Sequence, residues 1–149
     1  MILATHPFYV LDASVVAKWF TRPEEMDREK AVGLRDLHCK GTCQLVVPEF
    51  GLLEVLNAIR YSPRAEEGDI TDALTVLGSL RLRIEALDWD VLRKATAIAW
   101  SYAITLYDAA YVALAERLGY PFITADGALL KRMKGHSILI DLRSLEIAG

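Results

Sequence analysis

Short apolar segments alternate with longer amphipathic segments along this chain, and that alternation limits the possible folds more than any other feature. The apolar segments predict buried strands at residues 8–11, 44–47, 83–87, 122–125 and 137–140. The intervening segments predict helices at residues 13–20, from after Pro23 to near Gly41, from Pro48 through Ile59, from Asp69 or Thr71 to Leu80, and at residues 91–103, 107–118 and 129–133. Strands that are apolar throughout, separated by helices, predict an α/β sandwich around a mostly parallel sheet.

Single residues add detail to the predicted helices. Ser14 is placed to cap the first helical turn. Glu24, Glu25 and Asp27 suit the first turn of the second helix, where the helix dipole favours acidic side chains. Two later helices show apolar faces that we expect to be buried: Phe50, Leu53, Leu56 and Ile59 on one, and Leu74, Leu77 and Leu80 on the other.

Length and composition predict one globular domain over residues 1–149. The chain is 53% hydrophobic and 25% charged, which excludes a mainly disordered polypeptide. No apolar run approaches the roughly 18 residues that would predict a membrane span. Residues 1–9 lack the basic start of a secretory signal, so we expect a cytoplasmic protein with no membrane partner. The net charge of −3 is not the basic charge typical of a nucleic-acid-binding domain, although a local basic rim remains possible.

Cysteine and amide content bear on cellular context. Cys39 and Cys43, with His38 beside them, fall short of the usual four zinc ligands, so we expect two free thiols. A local disulfide stays open if the source is a hyperthermophile. The chain holds one Asn and one Gln, Asn57 and Gln44, and this scarcity of thermolabile amides predicts a thermophilic origin.

Four acidic residues occur in otherwise apolar surroundings. Asp12 and Asp126 each follow a predicted strand directly, and the functional crevice of an open α/β sheet lies at the carboxyl ends of its strands. Asp108 begins a helix. Glu54 lies within a helix between Leu53 and Val55, with Asn57 on the same face. If all four carboxylates meet at this edge, their repulsion requires a hard divalent cation such as Mg²⁺ or Mn²⁺.

Each acid also has an ordinary structural interpretation. Asp12 is a plausible helix cap, Asp108 a first-turn acid, and Asp126 before Gly127 a turn residue. Glu54 would be ordinary on an exposed helix face. The functional interpretation rests on all four occurring together in one chain.

Other candidate sites are weaker. His6, His38 and His136 are predicted to be surface residues. Tyr107, Tyr111 and Trp100 are most simply core aromatics, with the alternative that one of them stacks on a nucleic-acid base. The chain lacks the phosphate-binding glycine patterns, and Ser14 lacks the Gly-x-Ser-x-Gly context of an activated nucleophile.

Four segments occur in an informative order: VLDASVVAKW at residues 10–19, VPE at 47–49 with EVLNA at 54–58, LYDAAYVALA at 106–115, and ITAD at 123–126. Together they resemble the PIN-domain ribonucleases, and within that superfamily the VapC toxins of prokaryotic toxin–antitoxin pairs, over about residues 8–142. The resemblance implies a three-layer sandwich with a four- to five-stranded, mostly parallel sheet. It also implies a Mg²⁺- or Mn²⁺-dependent endoribonuclease that is neutralised by a cognate antitoxin protein and forms a homodimer.

Carried over position by position, the family's acidic site falls on Asp12, Glu54, Asp108 and Asp126. The hypothesis is hydrolysis of single-stranded RNA by a water activated on one ion, with a second ion, if present, at the leaving oxygen. Asp12, Asp108 and Asp126 are then direct or water-bridged ligands, and Glu54 is a ligand or orients the water. The predicted supporting residues are Ser14, Thr124 and Asn57, and the predicted phosphate contacts are Lys18, Arg22 and Arg60.

One alternative keeps the fold without the enzyme: a catalytically silent acidic pocket in which a partner's Arg or Lys docks. Two other enzyme classes that use a strand-end Asp are less well supported. A haloacid-dehalogenase-type phosphatase needs a second Asp where this chain has Ser14, and the paired acids of a receiver domain are missing.

Overall fold

Seven strands occur in the part of the chain that the computed structural model describes, which comprises residues 2–3 and 6–147. They are β1 (Ile2–Leu3), β2 (Phe8–Leu11), β3 (Gln44–Pro48), β4 (Arg83–Glu85), β5 (Phe122–Thr124), β6 (Leu139–Asp141) and β7 (Leu145–Glu146). Five of them form one parallel sheet in the order β4-β3-β2-β5-β6. The predicted parallel sheet is therefore confirmed.

Seven α-helices connect and cover these strands within the described residues. They are α1 (Ala13–Val16), α2 (Arg28–Cys39), α3 (Glu49–Arg60), α4 (Glu67–Ser79), α5 (Trp89–Tyr102), α6 (Leu106–Leu118) and α7 (Gly127–Arg132). Two 3₁₀ turns follow α1 and β6, at Ala17–Phe20 and Leu142–Ser144. Gly119 ends α6 in a left-handed conformation with φ of 71°, as its position in the sequence predicts.

Both faces of the three central strands β3, β2 and β5 are covered, which explains why these strands are apolar without alternation. The prediction of a buried strand at 83–87 is wrong, because β4 lies at the edge of the sheet and Ile84 is 41% exposed. Tyr9, Leu11 and Leu45 pack into one core, together with residues of α1, α2, α3 and α4. Val10 and Phe122 point to the opposite face and pack against α6 and α7. These two cores on either side of one sheet confirm the three-layer sandwich.

Several predicted helix details are wrong. Helix α2 begins at Arg28, not after Pro23, because Asp27 adopts a left-handed conformation with φ of 61° that interrupts a helix. The predicted helix 13–20 changes to a 3₁₀ turn at Ala17. Leu53 is 70% exposed, since the buried face of α3 is formed by Gly51, Val55 and Ile59.

Helix α4 also differs from its prediction. Leu74 is exposed, and the buried residues are Ala73 and Leu77. Glu66, rather than Asp69 or Thr71, is the N-cap residue, while Asp69 completes a capping box by accepting from the Glu66 backbone N–H at 2.8 Å.

One of the three histidines is not a surface residue. His38 is buried, and it accepts a hydrogen bond from the Leu45 backbone N–H at Nδ1 (3.2 Å) while Nε2 donates to the Leu80 carbonyl (2.6 Å). The ring therefore ties α2, β3 and the end of α4 together. Cys39 and Cys43 are both free thiols, as expected.

No single helix of the described residues is long and apolar enough to cross a membrane. Helices α5 and α6 together have sufficient length and apolar content, but they are bent by 120° at the break between them. The expectation about residues 1–9 concerns in part residues 1, 4 and 5, which lie outside the described part of the chain.

Candidate active site

The carboxyl ends of β2 and β5 place two acidic residues at one edge of the sheet. These strands are neighbours, with Leu11 in register with Ile123. The Asp12 backbone N–H donates to the Ile123 carbonyl at 3.0 Å, which continues the pairing by one residue. Asp126 follows β5 at the same edge, and the two carboxylates are close enough for the charge of Asp126 to raise the pKa of Asp12.

The Asp12 carboxylate is almost fully buried, with 6% of the residue exposed. Its Oδ2 accepts hydrogen bonds from the hydroxyls of Ser14 and Thr124, each at 2.7 Å. Burial raises the pKa of Asp12, while these two hydrogen bonds act in the opposite direction. The carboxylate is therefore held in one orientation at a position that disfavours its charge.

Ser14 and Thr124 connect the Asp12 carboxylate to the loop that carries Asp126. The Ser14 hydroxyl accepts from the Ala125 backbone N–H at 3.0 Å, and the Thr124 hydroxyl accepts from the Asp126 N–H at the same distance. The prediction that Ser14 caps the first helix is wrong, because its hydroxyl is engaged by Asp12 and Ala125 instead. Both hydroxyls lie where a supporting role for Asp12 requires them.

Asp126 has a structural role at the start of α7. Its Oδ1 accepts hydrogen bonds from the backbone N–H groups of Ala128 (2.9 Å) and Leu129 (3.1 Å), so it is the N-cap of that helix. Both capping bonds use Oδ1 alone, so Asp126 can have this structural role and also take part in the acidic site.

Glu54 of α3 and Asp108 of α6 extend the acidic group from two helices. Burial is the largest cause that raises the pKa of Glu54, and the charges of Asp12 and Asp108 add to it. The pKa of Asp108 rises to about 6, first through burial and then through the charges of Asp12 and Asp126. Charge interactions therefore connect the four predicted acids, although they are spread along the chain from residue 12 to residue 126.

The chemistry of this group fits a hard divalent cation. All four donors are carboxylates. Burial, and after it the charges of neighbouring acids, raise the pKa values of Asp12, Glu54 and Asp108, and positive charge between the carboxylates would relieve their repulsion. In the side-chain positions of the described residues, no three Asp, Glu, His or Cys groups are arranged to hold one ion. Direct ligation by three of these acids therefore requires side-chain movement, and water-bridged ligation requires less.

The other residues predicted to support the acids or to contact phosphate are less favourably placed for these roles. Asn57 is exposed on α3. The ammonium group of Lys18 is engaged by Glu25 (3.2 Å) and by the Met26 carbonyl (2.9 Å), so binding of a phosphate would have to displace these bonds.

Two arginines complete the predicted set. Arg22 lines a groove of about 820 Å³ between the 3₁₀ turn and helices α3 and α4. Arg60 is exposed, and its guanidinium lies 5.6 Å from the ring centre of Tyr61.

Two of the three aromatic residues that were predicted to lie in the core are exposed. Tyr111 is a core residue, but Tyr107 and Trp100 are 61% and 90% exposed, so the prediction that they are core aromatics is wrong. Sequence reasoning missed a polar role for Tyr111, whose hydroxyl donates to Glu54 Oε1 at 2.7 Å. Burial raises the pKa of Tyr111, so the hydroxyl keeps the proton that it donates.

Comparison with known proteins identifies a family and a relative to which this chain is similar. A family model of the PIN domain matches residues 9–135. Ribonuclease VapC3 of Pyrobaculum aerophilum is 30% identical over 129 residues, which cover 83% of this chain and 92% of that protein.

Solved structures with the same fold include a chain of a toxin–antitoxin complex and a toxin. A chain of a toxin–antitoxin complex from Klebsiella pneumoniae matches with a TM-score of 0.68 at 15% identity, over 90% of this chain and 97% of that one. VapC20 of Mycobacterium tuberculosis, a toxin that cleaves the sarcin–ricin loop, matches with a TM-score of 0.63 at 16% identity, over 83% and 93% of the two chains. At these identities the likeness concerns the fold.

Proposed function

The chain belongs to the PIN-domain family, and we propose that it is a Mg²⁺- or Mn²⁺-dependent endoribonuclease that hydrolyses phosphodiester bonds in single-stranded RNA. The observation that carries this proposal is the electrostatic group formed by Asp12, Glu54, Asp108 and Asp126. Burial and the charges of neighbouring acids raise the pKa values of Asp12, Glu54 and Asp108, so this group destabilises the metal-free protein, and a cation site gives it a function. The curated relative that bears the name ribonuclease supports the choice of substrate.

Within this proposal, each side chain has a defined task. Asp12, Asp108 and Asp126 would hold the ion directly or through water, and Glu54 would hold it or orient the attacking water. Ser14 and Thr124 fix the rotamer of Asp12 through their hydroxyls. A bound divalent ion supplies a water of lowered pKa and positive charge against the phosphate oxygens.

We propose further that this ribonuclease is the toxin of a VapBC-type pair, acts in the cytoplasm and has a cognate antitoxin as its protein partner. The name of the curated relative and the toxin–antitoxin complex among the structural matches support this assignment. Homodimer formation belongs to the same proposal, and the exposed apolar side chains of α5 and α6 support it.

The central test compares cleavage of an end-labelled single-stranded RNA by the wild-type chain and by Asp12→Asn. We expect cleavage with Mn²⁺ or Mg²⁺, none in EDTA, and none from Asp12→Asn at any metal concentration. Asp141→Asn is the matched control, because Asp141 also ends a strand of this sheet but its carboxylate is paired with Arg143 at 2.8 Å. The control variant should cleave like the wild type.

Two results would contradict the proposal. Cleavage that survives in Asp12→Asn would show that the activity does not arise from these acids. A wild-type chain that cleaves no RNA with either metal, but binds a basic peptide that Asp12→Asn does not bind, would favour the acidic docking pocket instead.

A further inference from the structure

The hydroxyl of Tyr111 lies where three elements meet. Tyr111 belongs to α6 and is fully buried. Its hydroxyl donates to Glu54 Oε1 of α3 at 2.7 Å and accepts from the backbone N–H of Ala13 at 3.2 Å, the first residue of α1 and the neighbour of Asp12. One phenol oxygen thus links the backbone beside Asp12 to the carboxylate of Glu54.

The ring of Tyr111 has little freedom to move this hydroxyl. It stacks on Phe122 of β5, with ring centres 5.3 Å apart and planes inclined by 15°. Phe50 of α3 also makes an edge contact with the ring, with centres 4.9 Å apart and planes at 68°. A buried ring held by two aromatic neighbours presents its hydroxyl at a fixed place.

Gly51 makes the space for this hydroxyl. It lies in the first turn of α3, three residues before Glu54 and therefore on the same face of the helix. A Cβ atom on Gly51 would lie 2.7 Å from the Tyr111 hydroxyl oxygen, which is closer than real Cβ atoms approach, and 3.0 Å from Val47 Cγ1, which is a tight contact. Any larger residue at this position would meet the hydroxyl, which gives the glycine a local role at this point of the helix.

We propose that Tyr111 is a positioning residue for Glu54, and that Gly51 is required because it admits the Tyr111 hydroxyl against α3. The inference rests on the proposed function, since it concerns the same acidic group. The hydroxyl engages Oε1 and so fixes the rotation of the carboxylate relative to Asp12. Without this bond, the half-buried Glu54 side chain has several rotamers, and the site must order it whenever it binds a cation.

The first test removes the hydroxyl alone. Tyr111→Phe should weaken Mn²⁺ binding, measured by calorimetric titration, by roughly 10-fold, the lower end of what loss of a ligand-supporting group produces. RNA cleavage should show a similar fall in kcat with KM for RNA within about twofold, since the variant alters positioning and leaves the surface unchanged.

Tyr9→Phe is the matched control for this variant. Tyr9 is also a buried tyrosine, but its hydroxyl accepts from the His6 backbone N–H at the opposite edge of the sheet. A general effect of losing a buried hydroxyl would change both variants alike. The proposal requires Mn²⁺ affinity and kcat to change in Tyr111→Phe and to stay at wild-type values in Tyr9→Phe.

The second test uses the steric relation between Gly51 and Tyr111. Gly51→Ala should lower Mn²⁺ affinity and kcat at least as much as Tyr111→Phe, because the added methyl group displaces the hydroxyl. In the double variant the methyl group no longer meets an oxygen and only its tight contact with the Val47 side chain remains, so adding Gly51→Ala to Tyr111→Phe should change either quantity by less than about twofold. Gly33→Ala, where a Cβ meets only the flexible Ile147 side chain at 3.0 Å, is the control and should bind Mn²⁺ normally.

The outcomes separate this inference from the proposed function. A wild-type chain that binds Mn²⁺ and cleaves RNA, with Tyr111→Phe unchanged in both, overturns the positioning role and leaves the nuclease proposal intact. Additive effects of the two substitutions overturn the role of Gly51. A wild-type chain that neither binds Mn²⁺ nor cleaves RNA overturns both proposals together.

Discussion

Asp108 carries a charge that the metal-free protein does not favour. Its pKa lies near 6 in the folded chain and near 3.8 in an unfolded one, so between these values the folded state holds the proton more tightly. Stability therefore falls as the pH rises from about 4 to 6, and the full penalty is present above that range. Below pH 4 the carboxyl is protonated in both states and the penalty vanishes.

Asp108→Asn should therefore stabilise the metal-free protein at pH 7.5 by about 1 kcal/mol, allowing for solvent screening of a half-buried group. That corresponds to a rise in Tm of about 2–4 °C for a chain of this size. Thermal unfolding in EDTA should show this gain at pH 7.5 and lose it by pH 4. Asp72→Asn, on an exposed part of α4, should show no gain at either pH. An equal gain at both pH values would mean that charge is not its cause.

Residues of the candidate site differ in how far the sequence predicts their positions. Asp12 and Asp126 follow strands, and strand ends are local features that place a side chain at a known edge of the sheet. The hydroxyl of Tyr111 instead bonds to groups 57 and 98 residues away in the chain. Such a bond depends on the packing of α6 against α3 and α1, and no local pattern distinguishes this tyrosine from a purely apolar core ring.

At the scale of an element, α7 and the candidate site share one residue. Asp126 is the N-cap of this six-residue helix through Oδ1, and asparagine caps helices about as well as aspartate, whereas alanine does not. Asp126→Asn should therefore retain wild-type stability in urea unfolding, and Asp126→Ala should be less stable than Asp126→Asn by about 1 kcal/mol.

Cleavage of RNA should separate from stability in the same pair of variants. Both substitutions remove the charge, so both should abolish metal-dependent cleavage whether or not α7 is well capped. If Asp126→Asn cleaves RNA at the wild-type rate, Asp126 is a helix cap and contributes nothing to ion binding. If the two variants unfold at the same urea concentration, the capping bonds do not contribute to stability.

The periodicity of apolar residues predicts which segments form helices and strands, but it does not predict which side of a helix is buried. Helix α6 is buried at every position from Ala109 to Ala115, which removes the one-sided pattern that assigns a face. On α3, Leu53 looks like part of the apolar stripe but is exposed, because the sheet contacts the side marked by Gly51, Val55 and Ile59. The short parallel pair of β1 and β7 joins the two ends of the chain, and two-residue strands carry no readable period.

For the whole molecule, two adjoining helices expose several large apolar side chains. Trp89 and Trp100 are both strongly exposed on α5, and eleven residues, or about three turns, place them on the same face. Leu106 and Tyr107 are exposed at the start of α6, which packs against α5. Large exposed aromatic residues on one part of a surface are typical of protein interfaces.

The proposed homodimer should use this surface. We expect the wild-type chain to sediment as a dimer at micromolar concentration and Trp100→Asp to sediment as a monomer. A tryptophan buried in an interface commonly contributes about 2 kcal/mol or more to binding, and an aspartate cannot be buried there unpaired. Met26→Asp is the control, since Met26 is 74% exposed but lies before α2, and it should remain dimeric. Trp100 lies on α5 and is not one of the four acids, so the monomeric variant should still bind Mn²⁺. A wild-type monomer, or a Trp100→Asp variant that stays dimeric, would show that these side chains do not hold two copies together.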